Sequence, residues 1–138
     1  TSLRPRLEEF YRPAQRAAAE QVYAMAGLGP QDVDVLQIYD SFSVHVPLAL
    51  EGFGFCGDGE AGKLISSGDL GPGGRLPVNT AGGHLSGSYM QGWGHQAEVV
   101  RQLRAEAGDR QVPGARIGQY VSDVAGKVTS IVYEGVAR

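Results

Sequence analysis

The chain has 138 residues, of which 42% are apolar and 20% charged, and its net charge is −3. That length suits one domain with a real buried core. The slight acidity and the lack of any basic run argue against nucleic acid and against a membrane-surface partner. Cys56 is the single cysteine, so no internal disulfide can form and a reducing, cytoplasmic setting is expected. There is no signal-peptide pattern and no apolar run long enough to span a bilayer. The chain starts at Thr1 instead of Met, and so reads as a processed or trimmed piece of something longer.

Residues 1–13 are charged and proline-flanked and read as an arm or linker; the folded domain is expected over 14–138. From Ala14 the spacing of Ala18, Val22, Met25 and Ala26 predicts a helix, stopped by Gly27 and the Gly29-Pro30 pair. Asp34 to Tyr39 is a short apolar run after a turn and predicts a buried strand. Asp40-Ser41 offers a cap for a second helix over Phe42–Phe53, which must accommodate Pro47. A third, short helix is expected over Glu60–Ser66 and a brief strand over Arg75–Asn79.

The segment from Asn79 to Gly94 is a glycine-dense loop running into what reads as the longest helix, from about Ser88 to Ala107. Trp93, Ala97, Val100 and Leu103 are expected on the inner face of that helix. Gln111–Val124 and Lys127–Val136 alternate like two strands, and the Ala125-Gly126 turn between them predicts an antiparallel hairpin. The order is αβα(α)βαββ, an α/β fold with a mixed sheet flanked by helices. Fourteen of the 21 glycines lie between Gly52 and Gly94, so backbone freedom is concentrated where a ligand could approach closely.

Generic motif readings mostly fail here. No Gly-Lys-Ser/Thr follows the glycine loop and no early strand leads into G-x-G-x-x-G, so nucleotide binding is a poor fit. His45, His84 and His95 have no cysteine or carboxylate at ligand spacing, so no metal site is expected. His45 reads as a structural or surface group, whereas His84, inside the glycine loop, has the better claim to lie near a ligand. Cys56 sits in an aromatic-glycine run with no base in reach and reads as a small buried hydrophobe. Asp40 reads as a cap or structural acceptor. Tyr11, Tyr23, Tyr120 and Tyr133 read as packing residues.

Four blocks carry a resemblance: Tyr39-Asp40-Ser41-Phe42-Ser43, Gly52 to Lys63 (GFGFCGDGEAGK), Leu76 to Gly83 (LPVNTAGG) and the glycine-rich helix entrance after them. Together they resemble the C-terminal half of the thiolase superfamily, in its sterol-carrier and lipid-transfer branch. The likeness is greatest to the aldolases that cleave steroid side chains as CoA thioesters. Two departures stand out. Members of this branch usually carry a histidine where Tyr39 stands, and a Gly-His-Pro triplet whose histidine matches Tyr89 of Ser88-Tyr89-Met90. The cysteine usual between the last two strands is missing from Tyr120–Gly126, and the family's nucleophilic cysteine belongs to the other half of the fold.

Thiolytic chemistry needs a thiolate and a base to activate it; a retro-aldol cleavage needs only a base for a β-hydroxyl and donors for the enolate. The resemblance thus implies catalytic roles for Tyr39 and Tyr89, with Asn79, Gly82, Gly83 and His84 shaping the pocket for the acyl-CoA. The implied reaction turns a bulky β-hydroxyacyl-CoA into a ketone and a short acyl-CoA such as propionyl-CoA. It needs no cofactor beyond the coenzyme A of the substrate. A homodimer through the thiolase fold and a small OB-fold companion are also implied, with no nucleic-acid or membrane partner. A non-catalytic lipid-transfer or acyl-CoA-binding protein stays open as the alternative, while the missing histidine and cysteine disfavour a true thiolase.

Overall fold

The computed structural model describes residues 7–136. Its elements are α1 (Leu7–Ala26), β1 (Val35–Ile38), α2 (His45–Gly52), α3 (Ala61–Ser66), α4 (Gly83–Ser86), α5 (Trp93–Leu103), β2 (Ile117–Val124) and β3 (Lys127–Glu134), with single 3-10 turns at Pro30–Asp32 and Gly108–Arg110. The sheet is three-stranded and mixed, in the order β1-β2-β3. β1 runs parallel to β2, with Val35 opposite Gly118 and Gln37 opposite Tyr120. β2 and β3 form the expected antiparallel hairpin closed at Ala125-Gly126, with Val124 opposite Lys127. Helices α1 and α2 pack on one side of this sheet and α5 on the other, so the α/β architecture is as the sequence implies.

Alternation along the strands divides the residues between two different interiors. Leu36, Ile38 and Val121 point into an apolar core with Ala19, Ala49, Leu50, Phe53, Ala61 and Leu76. Gln37, Gly118 and Tyr120 point the other way, toward α5 and the glycine loop. The apolar core holds the domain together, and the second interior is polar and carries the candidate site.

Several element boundaries differ from expectation: α2 starts at His45 after Val44, with no side-chain cap from Asp40 or Ser41, and β2 starts at Ile117 instead of Gln111. The first helix begins at Leu7 rather than Ala14 and continues through Pro13. Arg12 pairs with Glu51 at 2.7 Å and Arg16 with Asp58 at 2.8 Å, which ties part of the expected arm to α2 and the loop after it; residues 1–6 lie outside the described residues. The Arg75–Asn79 strand is reduced to one parallel bridge, Leu36 to Val78. Pro77 has no N–H to give a ladder, and the Asn79 side chain takes over the pairing. Its Oδ1 accepts from Ile38 N at 2.8 Å and its Nδ2 donates to Ile38 O at 3.0 Å.

The helix after the glycine loop starts at Trp93, because Gln91 (φ 48°) and Gly92 (φ 86°) are both left-handed. It ends at Leu103, with Ala105 again at positive φ (57°), so α1 and not α5 is the longest helix. Residues Tyr120 to Val124 belong to β2 itself, and only Ala125-Gly126 turn.

Gly118 sets how closely α5 approaches the sheet. A Cβ there would lie 2.6 Å from Val99 Cγ1 of α5, and Val99 is fully buried. Gly118→Ala is expected to cost about 1–3 kcal/mol by overpacking, read as a lower urea midpoint. Adding Val99→Ala to that variant should cost less than Val99→Ala alone, because the smaller residue makes room; strict additivity would show that the contact does not set the spacing.

Candidate active site

The site begins where β1 ends. Asp40, immediately after Tyr39, is almost fully buried and lies beneath the glycine loop. Its carboxylate accepts the backbone N–H of His84 at 2.6 Å and of Leu85 at 3.2 Å, both in the first turn of α4. A third bond joins Asp40 Oδ1 to Nε2 of His95 on α5 at 2.9 Å. Gly83 (φ +65°) must be a glycine for this to fit, since a Cβ would lie 2.5 Å from Asp40 Oδ2. Gly82 before it is also left-handed, at φ +88°.

Burial alone would raise the Asp40 carboxyl, but the two N–H groups and the His95 ring outweigh it, so the group lies below its ordinary range and stays ionised. Burial lowers His95 in spite of the carboxylate. The pair is therefore a neutral imidazole donating to a carboxylate, not an ion pair.

Around this anchor the aromatic rings form a row. The Tyr89 ring stands edge-on to His84 at 5.0 Å between centroids, and His84 lies 5.4 Å from the ring of Tyr39. Tyr39 in turn meets His95 edge-on at 5.7 Å, and His95 lies 6.1 Å from Tyr120. Tyr39 is 7% exposed and Tyr89 67% exposed, so the two candidate tyrosines flank one histidine from opposite environments. Burial pushes the Tyr39 phenol up from its ordinary value, and negative charge at Tyr89 or Asp40 would add to the rise. The Tyr89 hydroxyl accepts from Gln91 Nε2 at 3.0 Å.

Of the pocket residues expected from sequence, His84, Gly82 and Gly83 lie in this assembly. The Asn79 side chain is committed to the backbone of β1 and shapes the entry to the loop.

Below the row lies a small cavity of about 150 Å³ between the loop and α5, lined by Gln37, His84, His95, Glu98 and Arg101 together with glycine backbone. Two buried polar atoms of the described residues have no partner, Gln37 Oε1 and His84 Nδ1, and both residues line this cavity. Beside it runs a polar network. Gln37 Nε2 donates to Thr80 Oγ1 at 3.0 Å, and Thr80 donates to Glu98 Oε1 at 2.8 Å. Gln102 and Arg110 both donate to the same Glu98 carboxylate. Burial would raise Glu98, but these donors bring it below its ordinary value.

Sequence reasoning missed His95, Glu98, Gln37 and Tyr120 as parts of the site. The expected inner face of α5 is likewise corrected: Trp93, Ala97 and Val100 are exposed and Leu103 half-buried, while His95, Glu98, Val99 and Gln102 face inward. The signal available was their i, i+3, i+4, i+7 spacing, hidden because three of the four are polar.

His45 is structural, buried between Tyr11 and Phe42, with Nδ1 on Ser41 at 2.9 Å. Cys56 lines a separate depression with Arg16, Glu51 and Asp58. Cys56 is half-buried, not the buried hydrophobe expected, and its partial burial with acidic neighbours raises its thiol. Among the described residues no cluster of three or more His, Cys, Asp or Glu could hold a metal, and no helix is long and apolar enough to cross a membrane.

The model of the family described as "Thiolase C-terminal domain-like" matches residues 5–133. The chain belongs to this family. Within it, similarity runs to proteins of different activity. Sterol carrier protein 2 of Rattus norvegicus is 42% identical over 105 residues, 74% of this chain and 19% of that protein. The 17-hydroxy-3-oxo-4-pregnene-20-carboxyl-CoA lyase of Mycobacterium tuberculosis is 44% identical over 101 residues, 73% of this chain and 26% of that protein. A solved "Ltp2-ChsH2(DUF35) aldolase" superposes with a TM-score of 0.86 at 35% identity, over 94% of this chain and 34% of that one. This thiolase-like chain therefore spans between about a fifth and a third of the length of these relatives, and identity alone does not choose among their activities.

The anchor makes a pH-dependent prediction. Asp40 has an ordinary value of 3.8 and a lower one in the fold. Its stabilisation is therefore present above 3.8 and lost as pH falls through the folded value. His95, lowered from 6.5, resists protonation in the fold, so stability also falls as pH drops below 6.5. Asp40→Asn should cost about 1–3 kcal/mol at neutral pH by opposing donor to donor and should flatten the lower part of the acid limb. His95→Gln should flatten the upper part. Urea midpoints from pH 8 to 3 check both.

Proposed function

We propose that this chain forms one wall of the active site of a carbon–carbon lyase. The reaction is the retro-aldol cleavage of a β-hydroxyacyl-CoA with a bulky, steroid side chain, giving a ketone and a short acyl-CoA such as propionyl-CoA. The observation that carries the reading is the placement of two phenols, Tyr39 and Tyr89, on either side of His84. The steroid class rests on the name of the Mycobacterium tuberculosis relative.

The chemistry asks little more of the protein. A base takes the proton of the β-hydroxyl, the Cα–Cβ bond breaks, and its electron pair moves into the thioester as an enolate. A donor then protonates the enolate carbon. Burial favours the neutral phenol of Tyr39, which suits it to donate that proton. Tyr89, exposed at the loop, takes the hydroxyl proton as its phenolate and becomes the neutral phenol. No thiolate is needed, and Cys56 lies in a separate depression away from the site.

Leu85, Tyr89, Met90 and Trp93 are all more than half exposed. An apolar face of this kind around the loop fits a site completed by a further half of the fold. A homodimer and an OB-fold companion that presents the CoA thioester belong to the same reading, supported by the DUF35 partner in the name of the similar aldolase. So does a cytoplasmic location.

The test is mass spectrometry of products from the full-length protein, with and without its companion, on a 17-hydroxy steroid-side-chain CoA ester. Release of a ketone and propionyl-CoA is expected, and tight binding without cleavage would instead indicate a transfer protein. Tyr39→Phe and Tyr89→Phe should each lower turnover by about a hundredfold or more with unchanged urea midpoints. Near-normal turnover in both variants would end the two-tyrosine assignment.

A further inference from the structure

The retro-aldol reading leaves a proton out of place after every turnover, and the inference that follows rests on that reading. The tyrosine that takes the substrate's hydroxyl proton finishes with one proton more than it began with. The tyrosine that protonates the enolate carbon finishes with one fewer. The cycle closes only when the first phenol has given up a proton and the second has regained one, by transfer between them or by exchange with solvent. The product leaves with the proton it received, so the transfer must run through the protein or solvent.

We propose that His84 is the relay that returns this proton, passing it between Tyr89 and Tyr39. Its ring packs against both of theirs, with centroids 5.0 Å from Tyr89 and 5.4 Å from Tyr39. Its backbone N–H is pinned to Asp40 at 2.6 Å, so the residue is held in place by its main chain and its imidazole need not serve as an anchor. A relay must take a proton on one nitrogen and release it from the other, which a ring tied to a fixed partner does poorly.

The three histidines divide on this point. His95 commits Nε2 to Asp40 and His45 commits Nδ1 to Ser41. His84 Nδ1 is buried and has no partner, and it belongs to a residue lining the cavity beneath the loop. Of the three, His84 is the one that touches both candidate tyrosines and has a buried ring nitrogen uncommitted. It acts through the tyrosines, not on the substrate, so it is a positioning and relay group.

The experiment compares His84→Ala and His84→Phe in the full-length protein with its companion, on the same CoA ester. Turnover should fall by about a hundredfold in both, with KM little changed. Added imidazoles should restore the Ala variant with a rate that depends on the pKa of the added base. The Phe variant keeps an aromatic ring between the tyrosines but has no ring nitrogen, and should stay slow and unrescued.

Wild-type turnover in His84→Phe would overturn the relay, as would rescue of His84→Ala that follows the size of the additive and not its basicity. Tyr39→Phe and Tyr89→Phe in the same assay separate the two claims. If both tyrosine variants cleave normally, the two-tyrosine assignment fails and the relay with it. If both are slow while His84→Phe is normal, only the relay fails.

Discussion

The constraint on which the rest depends is the burial of one carboxylate. Asp40 is 5% exposed, and an ionised carboxyl taken out of water costs several kcal/mol unless its oxygens are bonded. Three donors from two separate elements meet that requirement: two backbone N–H groups of α4 and the ring of His95 on α5. Because they come from different parts of the chain, satisfying Asp40 fixes the end of β1, the glycine loop and α5 against one another. The aromatic row follows from this. Tyr39 precedes Asp40, His84 carries one of the donors, and His95 carries another, so the rings have little freedom to lie elsewhere.

The same logic explains why the inner face of α5 is polar. Glu98 is 1% exposed and receives hydrogen bonds from Thr80, Gln102 and Arg110, while Gln102 also donates to the Arg110 carbonyl at 2.8 Å and accepts from Val112 N. Thr80 gives its one hydroxyl proton to Glu98, so it can only accept from Gln37 and Gln102. That fixes the orientation of the Gln37 amide and turns its Oε1 toward the cavity. A buried network of this kind is stable only when nearly every member is satisfied. Its one open position, Gln37 Oε1, and the unpartnered Nδ1 of His84 both belong to residues lining that cavity. The buried polar stripe also forces Trp93, Ala97 and Val100 of α5 outward.

These features decide what could be read from the sequence. The first strand, the third helix and the turn of the closing hairpin are legible because each follows a local rule of periodicity or turn chemistry; the second helix is legible as an element, but its expected cap, Asp40, bonds α4 instead. The start of α1 is not legible, since Pro13 reads as a stop and the earlier turns are held by contacts distant in sequence, the Arg12–Glu51 ion pair and the packing of Tyr11 on His45. The strand before the loop is shorter than the composition of Leu-Pro-Val-Asn suggests: Asn79 N still donates to Leu36 O, but nothing local shows that its side chain, in place of its carbonyl, meets Ile38. The face of α5 was misassigned because apolar periodicity cannot register a helix that buries Glu98 and Gln102. In the candidate site, the glycine loop is visible as a match to a family pattern, and Tyr39 and Tyr89 as departures from it. His95 and Tyr120 are not, since their neighbours lie tens of residues away.

The two tyrosines are held with very different precision. Tyr39 stands at the end of a buried strand, between His84 and His95, with its backbone N–H bonded to Val121 O at 2.8 Å. Tyr89 lies in an irregular segment between α4 and α5, and its described partners are the His84 ring and the Gln91 side chain. Effective proton transfer needs both groups in register with the substrate, and each loosely held group adds an entropic cost to every turnover. One half of the proposed site is thus preorganised by the apolar core and Asp40. The other half carries Leu85, Tyr89, Met90 and Trp93 exposed, so in the proposed lyase any surface that covers this apolar face would also order Tyr89.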